Sequence, residues 1–244
     1  MRSRGVREVV GLARSRLIET IASGDTLIFL VRPADEILPD RVADGPAPAR
    51  PSLEVRRATS EDGERYARDI GTDSPRSFRA RLSPAEDCYV VDDGAKLLHA
   101  TWMTTSGAWT RELRRYLRPP MGDAYVYESF TRADSRGRGL YPFALEHICR
   151  DLAAQGISRV WVAVEGGNPS SLKAVAKAGF RPVTEVRYRR SWGRLTVDVG
   201  PSSTAGPSLR VDTQPHSTSL RGRTRTISTQ RTRTFSTQTR EPGL

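Results

Sequence analysis

The chain has 244 residues, more than one average domain needs and fewer than two large ones, so we expect a single sizeable core with appended segments. Its formal net charge of +11 overstates the charge of that core, because residues 200–244 hold seven arginines against Asp212 and Glu241. We therefore expect no specific nucleic-acid partner, although nucleic-acid binding by an arginine-rich protein stays open as an alternative.

Cysteine content and hydropathy further limit the classes of protein to which the chain can belong. Cys88 and Cys149 are too few and too far apart for a disulfide framework or a zinc site, so both are expected to be buried free thiols. No apolar run approaches the roughly 18 residues that span a bilayer. The sequence therefore predicts a soluble, cytoplasmic protein without a transmembrane segment.

Residues 1–52 are predicted to form an N-terminal arm. Apolar residues from Val6 to Ile21 recur at helical spacing, which indicates an amphipathic helix of about 17 residues. This helix packs on the protein or, alternatively, serves as a membrane-surface or targeting segment. "TLIFLVRP" (26–33) follows as a strand, and five prolines in residues 33–52 then indicate a linker.

The compact domain is predicted over residues 53–199. "LEVRRAT" alternates like a strand, and Thr59 with Asp62 resembles a helix cap. "CYVVDDGAKLLHATWMTT" indicates a hairpin, because two β-rich runs flank an Asp-Gly pair. His99 lies on its second strand and is expected to be a buried structural histidine, since no metal-ligand spacing surrounds it.

The rest of this domain alternates strands with helices. "AYVYESF" leads through "TRADSRGRG" into a helix with an apolar stripe, and "RVWVAV" follows as a buried strand. Asn168 and Pro169 suit the start of a second helix, after which "EVRYRRSWGRLTVDV" reads as one or two strands. This order predicts an α/β fold with a mixed sheet. Residues 200–244, rich in Ser, Thr and Arg, are predicted to be a disordered tail.

The segment "ADSRGRGLYPFAL" (133–145) carries the first functional signal. A glycine-rich basic turn before a helix presents backbone N–H groups and the positive end of the helix dipole, which suits a pyrophosphate. Taken alone, the same residues also build an ordinary exposed turn. Neither a dinucleotide-binding G-x-G-x-x-G nor a Walker lysine is present.

A second motif about 30 residues further on makes the signal specific. "RADSRGRGL", a helix, "VWVAV" and then "NPSSLKAVAKAGFRPV" together resemble the GCN5-related N-acetyltransferase (GNAT) superfamily over roughly residues 53–195. The positions that match its two motifs are Arg136, Gly139, Asn168, Ser171, Gly179 and Phe180.

The resemblance implies a mixed, mostly antiparallel central sheet with flanking helices, and acetyl-CoA as acyl donor where two strands part. It further implies that backbone amides of residues 136–141 hold the pyrophosphate and that Asn168 reaches the pantetheine side. The cofactor-binding residues so implied are Phe130, Thr131, Arg132, Arg136, Gly137, Arg138, Gly139, Leu140, Tyr141, Asn168 and Ser171.

Two positions depart from the superfamily's pattern. Tyr141 occupies the last small position of the first motif, which puts close approach of the backbone to a phosphate in doubt. Val175 stands where many relatives carry a tyrosine that protonates the leaving thiolate. Either another group serves here or the thiolate leaves unassisted, which its pKa near 8.5 allows.

The implied chemistry is direct attack of a primary amine on the thioester. Such an amine must lose a proton, and Glu128, on the strand entering the motif, is the candidate base, directly or through a water. An ion pair with an arginine is the alternative role of Glu128. The N–H groups of residues 130–132 are candidates to polarise the thioester carbonyl. Tyr125 and Tyr127 are candidates to line the acceptor pocket.

The acceptor is an unidentified small-molecule or peptide amine. Its pocket is expected from residues 60–82 and 184–199, whose basic segment "EVRYRRSWGR" favours an anionic acceptor. The sequence also allows a homodimer. A catalytically inactive acyl-CoA-binding module is the main alternative function, since both departures at Tyr141 and Val175 favour it.

Overall fold

The computed structural model describes residues 22–37, 53–191, 194–201 and 209–211. The predicted N-terminal helix and most of the predicted linker and tail lie outside these residues. The described strands are β1 (Ala22–Pro33), β2 (Glu54–Arg57), β3 (Glu86–Asp92), β4 (Leu97–Thr104), β5 (Ala108–Thr110), β6 (Arg115–Arg118), β7 (Asp123–Thr131), β8 (Arg159–Glu165), β9 (Arg181–Ser191), β10 (Arg194–Val199) and β11 (Arg210–Val211).

The described helices are short except for one. A 3-10 turn (Ser60–Asp62) leads into the first helix, and a second such turn (Ala133–Ser135) precedes the third. None of the helices within the described ranges has both the length and the apolar character needed to cross a membrane. The helices are α1 (Gly63–Asp69), α2 (Pro75–Arg81), α3 (Leu140–Ala154) and α4 (Pro169–Lys177).

The main sheet has eight strands in the order β10-β9-β1-β8-β7-β4-β3-β2. Its neighbours pair antiparallel except β7 and β8, which are parallel. The predicted mixed, mostly antiparallel sheet with flanking helices is therefore confirmed. A separate three-stranded sheet, β11-β6-β5, is not part of the prediction.

Strand β1 lies inside the main sheet, between β8 and β9. It pairs with β8 from Leu27↔Glu165 to Pro33↔Arg159. The sequence predicts this strand but places it in the arm before residue 53. Its partners are more than 100 residues away along the chain, and no local pattern specifies such a pairing.

Alternating side chains of the strands supply the two faces of the sheet. Cys88 and Val90 of β3 pack with α1 and α2, whereas Tyr89 and Val91 pack on the opposite face with α3. Beyond β7, the small sheet covers the same face as α1 and α2. Trp161 is fully buried beneath it. The strands are thus sandwiched between two layers, as expected for this fold class.

The β3–β4 hairpin confirms the local prediction from Asp93 and Gly94. All eight residues of β4 are buried, including His99, which agrees with its predicted structural burial. Both cysteines are buried and free, as predicted.

A network of four charged side chains joins β2, the first 3-10 turn, α1 and the end of β3. Arg56 donates hydrogen bonds to Asp62 (2.7 Å) and Asp92 (3.0 Å), and Arg65 donates two to Asp92 (2.8 Å each). Burial alone would raise the pKa of Asp92, but the hydrogen bonds from Arg65 and Arg56 outweigh it and lower that pKa to about 2.

This network predicts an acid-dependent stability. Because the pKa of Asp92 is lower folded than unfolded (about 3.9), its carboxylate stabilises the fold fully above about pH 4, and the stabilisation is lost as the pH falls toward 2. Asp92→Asn should lower the melting temperature at pH 7, and the deficit should shrink as the pH approaches 2. Asp198→Asn, at an exposed position on β10, is the control. A deficit for Asp92→Asn that is constant across this range would contradict the assignment.

Candidate functional site

Strands β7 and β8 part halfway along their length. They pair from Asp123↔Arg159 to Val126↔Val162 and not beyond. Yet β7 continues to Thr131 and β8 to Glu165. A gap therefore opens between the second halves of two parallel strands, and the main-chain groups along its edges are not paired with each other.

A β-bulge in β7 marks the start of this gap. Trp102 of β4 pairs with Tyr127 and Ala100 pairs with Phe130, so Glu128 and Ser129 together stand opposite one residue of β4. Glu128 has φ of +46°, in the left-handed region that non-glycine residues rarely adopt. Bulges bend a strand and re-aim its side chains, and strain of this kind is concentrated at functional sites.

The glycine-rich turn follows the gap directly. Gly137 and Gly139 have φ of +77° and +74°, which explains the choice of glycine, and a Cβ at either position would meet open space. Helix α3 begins at Leu140, and Pro142 occupies its first turn. The first N–H groups of a helix have no carbonyl within the helix to bond, so those of Leu140 and Tyr141 are available to a ligand.

Two neighbouring cavities lie along the gap. The outer groove, about 610 Å³, is walled by the end of β7, the glycine turn and α4. The inner cavity, about 370 Å³, is walled by β7, β8 and residues 109–112 at the end of β5. Both volumes fall in the range of small-molecule sites. Four residues line both cavities and mark where they meet: Ser129, Tyr141, Asn168 and Ser171.

Most of the predicted cofactor-binding residues lie in the outer groove. Arg132 and Arg138 do not line it: Arg138 is exposed, and Arg132 forms a 2.8 Å ion pair with Asp134. Lys173 and Lys177 of α4, which are not among the predicted cofactor-binding residues, also line the groove. The predicted residues that line it are Phe130, Thr131, Arg136, Gly137, Gly139, Leu140, Tyr141, Asn168 and Ser171.

The backbone of residues 130–132 corrects one expectation. The N–H of Arg132 donates to the carbonyl of Leu98 (3.0 Å), so it belongs to the sheet and cannot polarise a bound carbonyl. N–H directions alternate along an antiparallel strand, so Phe130 also faces β4 and Thr131 faces away from it. The Thr131 carbonyl accepts from Arg136 Nε (3.3 Å), which places this backbone on the side of the turn. Thr131 is thus the residue of the three whose N–H suits this role.

His99 forms part of the groove wall. Its Nδ1 and Thr131 Oγ1 are 2.7 Å apart, whereas its buried Nε2 has no partner among the described residues. Burial lowers the pKa of His99 to about 3, so the ring is neutral at physiological pH. A buried ring nitrogen without a partner is costly unless a ligand or water satisfies it.

Tyr141 lies at the meeting of the two cavities. Its half-buried ring lies 5.3 Å from that of His99, centroid to centroid, and its hydroxyl faces Ser129. Burial raises the pKa of Tyr141 to about 12, although the interaction with Ser129 opposes this. The side chain therefore extends toward β7, which leaves open the space in front of Gly137 and Gly139.

The start of α4 follows the sequence prediction. Asn168 is its N-cap, and its Oδ1 accepts from the N–H of Ser171 (3.1 Å) and the hydroxyl of Ser170 (2.8 Å). Val175 is fully buried in the core beneath α3 and α4. The position that carries a tyrosine in many GNAT proteins therefore faces the core in this chain.

Glu128 lines the inner cavity and also forms an ion pair with an arginine, which is the alternative role considered for it. Arg81, at the end of α2, lies 2.7 Å from its carboxylate. The same guanidinium stacks 3.9 Å from the ring centroid of Trp102 and bonds Asp73 at 2.6 Å. The Glu128 side chain is 54% exposed, so a substrate or water can reach it.

The inner cavity differs from the expected acceptor pocket. Tyr125 and Tyr127 line it, as predicted. Its outer wall comes from residues 109–112, which include the end of β5 in the small sheet. None of its lining residues comes from residues 60–82 or 184–199, so the expected origin of the acceptor pocket is wrong for both ranges. Three of the lining residues are acidic, and one is basic: Glu112, Glu128, Glu165 and Arg111.

No protein-family model and no curated protein sequence matches the chain. Among solved structures, a GCN5-related N-acetyltransferase from Sphaerobacter thermophilus is similar, with 14% identity, a TM-score of 0.46, and coverage of 78% of this chain and 57% of that one. A GNAT-family acetyltransferase from Colwellia psychrerythraea has 15% identity, a TM-score of 0.45, and coverage of 78% and 62%. The ribosomal-protein-S18-alanine N-acetyltransferase from Escherichia coli has 13% identity, a TM-score of 0.41, and coverage of 53% and 77%.

The chain spans less than two thirds of the length of the first two of these structures. Both carry the name of the superfamily that the two sequence motifs resemble.

Proposed function

We propose that the protein is an acetyl-CoA-dependent N-acyltransferase, which moves an acetyl group to a primary amine by direct attack in a ternary complex. The observation that carries the proposal is the gap between β7 and β8, which opens onto a glycine turn at a helix start. A donor with a diphosphate at one end and an amide-bearing arm at the other matches these two features.

The outer groove supplies partners for the diphosphate. The N–H groups at the start of α3 and the dipole of that 15-residue helix favour an anion in front of Gly137 and Gly139. Arg136, Lys173 and Lys177 add positive charge around the groove. Two of the chain's three lysines therefore line the groove, which supports an anionic ligand there.

The gap supplies partners for the arm. Beyond Val126 and Val162, the facing edges of β7 and β8 resemble the edge of an open sheet. An extended chain that contains amides can pair with such edges as an added strand does. The amide of Asn168, on the wall of the groove, provides a further polar contact for it.

The inner cavity supports a positively charged amine acceptor. Glu112, Glu128 and Glu165 give it an excess of carboxylates, and Tyr125 and Tyr127 offer aromatic faces. Such a cavity favours an ammonium group over the anionic acceptor that the basic segment at 185–194 suggests.

Residues of this chain can accept the proton and stabilise the charge that the reaction produces. The amine nitrogen forms a bond to the thioester carbon while the carbon–sulfur bond breaks and its electron pair goes to sulfur. Glu128 accepts the proton of the amine, directly or through a water. The N–H of Thr131 donates to the carbonyl oxygen as negative charge develops there.

A catalytically inactive acyl-CoA-binding module is the second candidate. The buried side chain of Val175 favours it, because α4 then presents no phenol to the leaving group. The two functions share the outer groove and differ only in whether a thioester is consumed.

Donor binding is tested by a matched pair of glycine variants. Gly137→Ala and Gly122→Ala both place Ala at positive φ (+77° and +84°) with open space at the Cβ, so both should destabilise the fold by about 1 kcal/mol. Only Gly137→Ala should weaken acetyl-CoA binding, by about 10-fold, because the methyl group occupies the diphosphate position. Isothermal titration calorimetry of acetyl-CoA with each full-length variant measures the two affinities. Equal affinities would remove the groove from the proposal, and no binding by the unaltered chain would refute the proposal itself.

Turnover is tested at Glu128. Glu128→Gln should lower the rate of thiol release with a diamine acceptor by about 100-fold and leave acetyl-CoA affinity within about twofold, since amide oxygen is a poor base. Glu61→Gln, an exposed change outside both cavities, is the control. An unaltered rate would exclude Glu128 as the base. Tight binding without thiol release for any amine would favour the inactive module.

A further inference from the structure

Tyr141 has a position that no other phenol shares among the described residues. It lines both cavities, whereas Tyr125 and Tyr127 line only the inner one. If the diphosphate lies in the outer groove and the acceptor in the inner cavity, the bond that breaks lies where the two meet. The Tyr141 side chain is at that point.

The contacts of Tyr141 fix its hydroxyl toward β7. The ring packs against that of His99, and the hydroxyl faces Ser129, which is the residue after Glu128 in the bulge. The candidate base and the residue that the Tyr141 hydroxyl faces are therefore consecutive residues of the same strained segment.

The neighbouring polar groups are less suited to contact a leaving sulfur. Tyr127 donates its hydroxyl hydrogen to Glu86, and Tyr125 lines only the inner cavity. Asn168 uses its side-chain oxygen to cap α4, and Val175 is buried in the core. Ser171 lies at the junction but carries an alcohol, a much weaker acid than a phenol.

On this geometry we propose that Tyr141 is a catalytic residue whose hydroxyl donates a hydrogen bond to the sulfur that leaves during acyl transfer. The inference rests on the proposed function and deepens it. Because Val175 cannot interact with the leaving thiolate, the inference assigns that role to a residue of a different helix, α3.

The magnitudes decide what this hydroxyl does. Burial holds the pKa of Tyr141 at about 12. That of a thiol is about 8.5. The proton therefore stays on the tyrosine, and the hydroxyl stabilises the thiolate by donation without transferring its hydrogen. The electron pair of the broken carbon–sulfur bond remains on sulfur, and the thiolate takes a proton from water after release.

The test compares Tyr141→Phe with Tyr89→Phe. Tyr89 also has a buried, hydrogen-bonded hydroxyl, bonded to Asp151, and lies outside both cavities. Each variant is titrated with coenzyme A, and the ionisation of the bound thiol is followed by the ultraviolet absorbance of its thiolate. This measurement requires binding but no turnover. Thiol release from acetyl-CoA is then measured with the amine that the unaltered chain uses best.

Tyr141→Phe should raise the pKa of the bound thiol by about one, since a hydrogen bond to a charged group contributes about 1.5–3 kcal/mol. Turnover should fall by about 10- to 100-fold, while coenzyme A affinity changes less than about threefold. Tyr89→Phe should leave all three quantities unchanged.

Unaltered thiol pKa and turnover in Tyr141→Phe, with coenzyme A bound, would overturn the inference while the proposed function stands. Failure of the unaltered chain to bind coenzyme A would refute both. If Tyr141→Phe does not fold, 3-fluorotyrosine at position 141 replaces it. This more acidic phenol should lower the pKa of the bound thiol, and an unchanged pKa would again overturn the inference.

Discussion

The site depends on one constraint: the parallel strands β7 and β8 pair along their first halves and cannot pair along their second halves. The bulge at Glu128 and Ser129 bends β7 away from β8 and leaves main-chain groups on both sides of the gap without strand partners. Unpaired buried backbone groups are costly, so a gap of this kind persists where something else bonds them. The same bulge holds Glu128 at a left-handed φ on the wall of the inner cavity.

Charge is distributed unevenly along this gap. The outer end carries Arg136, Lys173 and Lys177. The inner end carries mainly carboxylates, with Glu165 facing the cavity beside Glu128. Opposite potentials at the two ends orient a molecule with phosphates at one end and exclude the reverse orientation. The same polarity gives the acceptor a place for its ammonium group.

Local features of this fold follow from the sequence because their determinants are local. The Asp93-Gly94 hairpin, the Asn168 cap and the glycine turn before Leu140 each depend on residues a few positions apart. Together the two motifs also predict most of the outer groove. The bulge is not predictable in this way, since the segment "AYVYESF" alternates like an ordinary strand.

What the sequence does not predict depends on contacts between distant segments. β1 enters the sheet between strands more than 100 residues away. Arg81 is one of many arginines, and nothing in its neighbourhood indicates an ion pair with Glu128, 47 positions on. The small sheet that borders the inner cavity joins β5 and β6 to β11. Strand β11 lies within residues 200–244, which the sequence predicts to be a disordered tail. Long-range packing of this kind therefore sets the acceptor side of the site, while local patterns set the donor side.

The most direct measurement is a crystal structure of the full chain with coenzyme A. We expect the diphosphate beside the N–H groups of Leu140 and Tyr141, and the pantetheine arm between Tyr127–Thr131 and Ala163–Glu165, with its amides bonded to the strand edges. Coenzyme A bound elsewhere, or β7 and β8 paired along their whole length, would contradict the account.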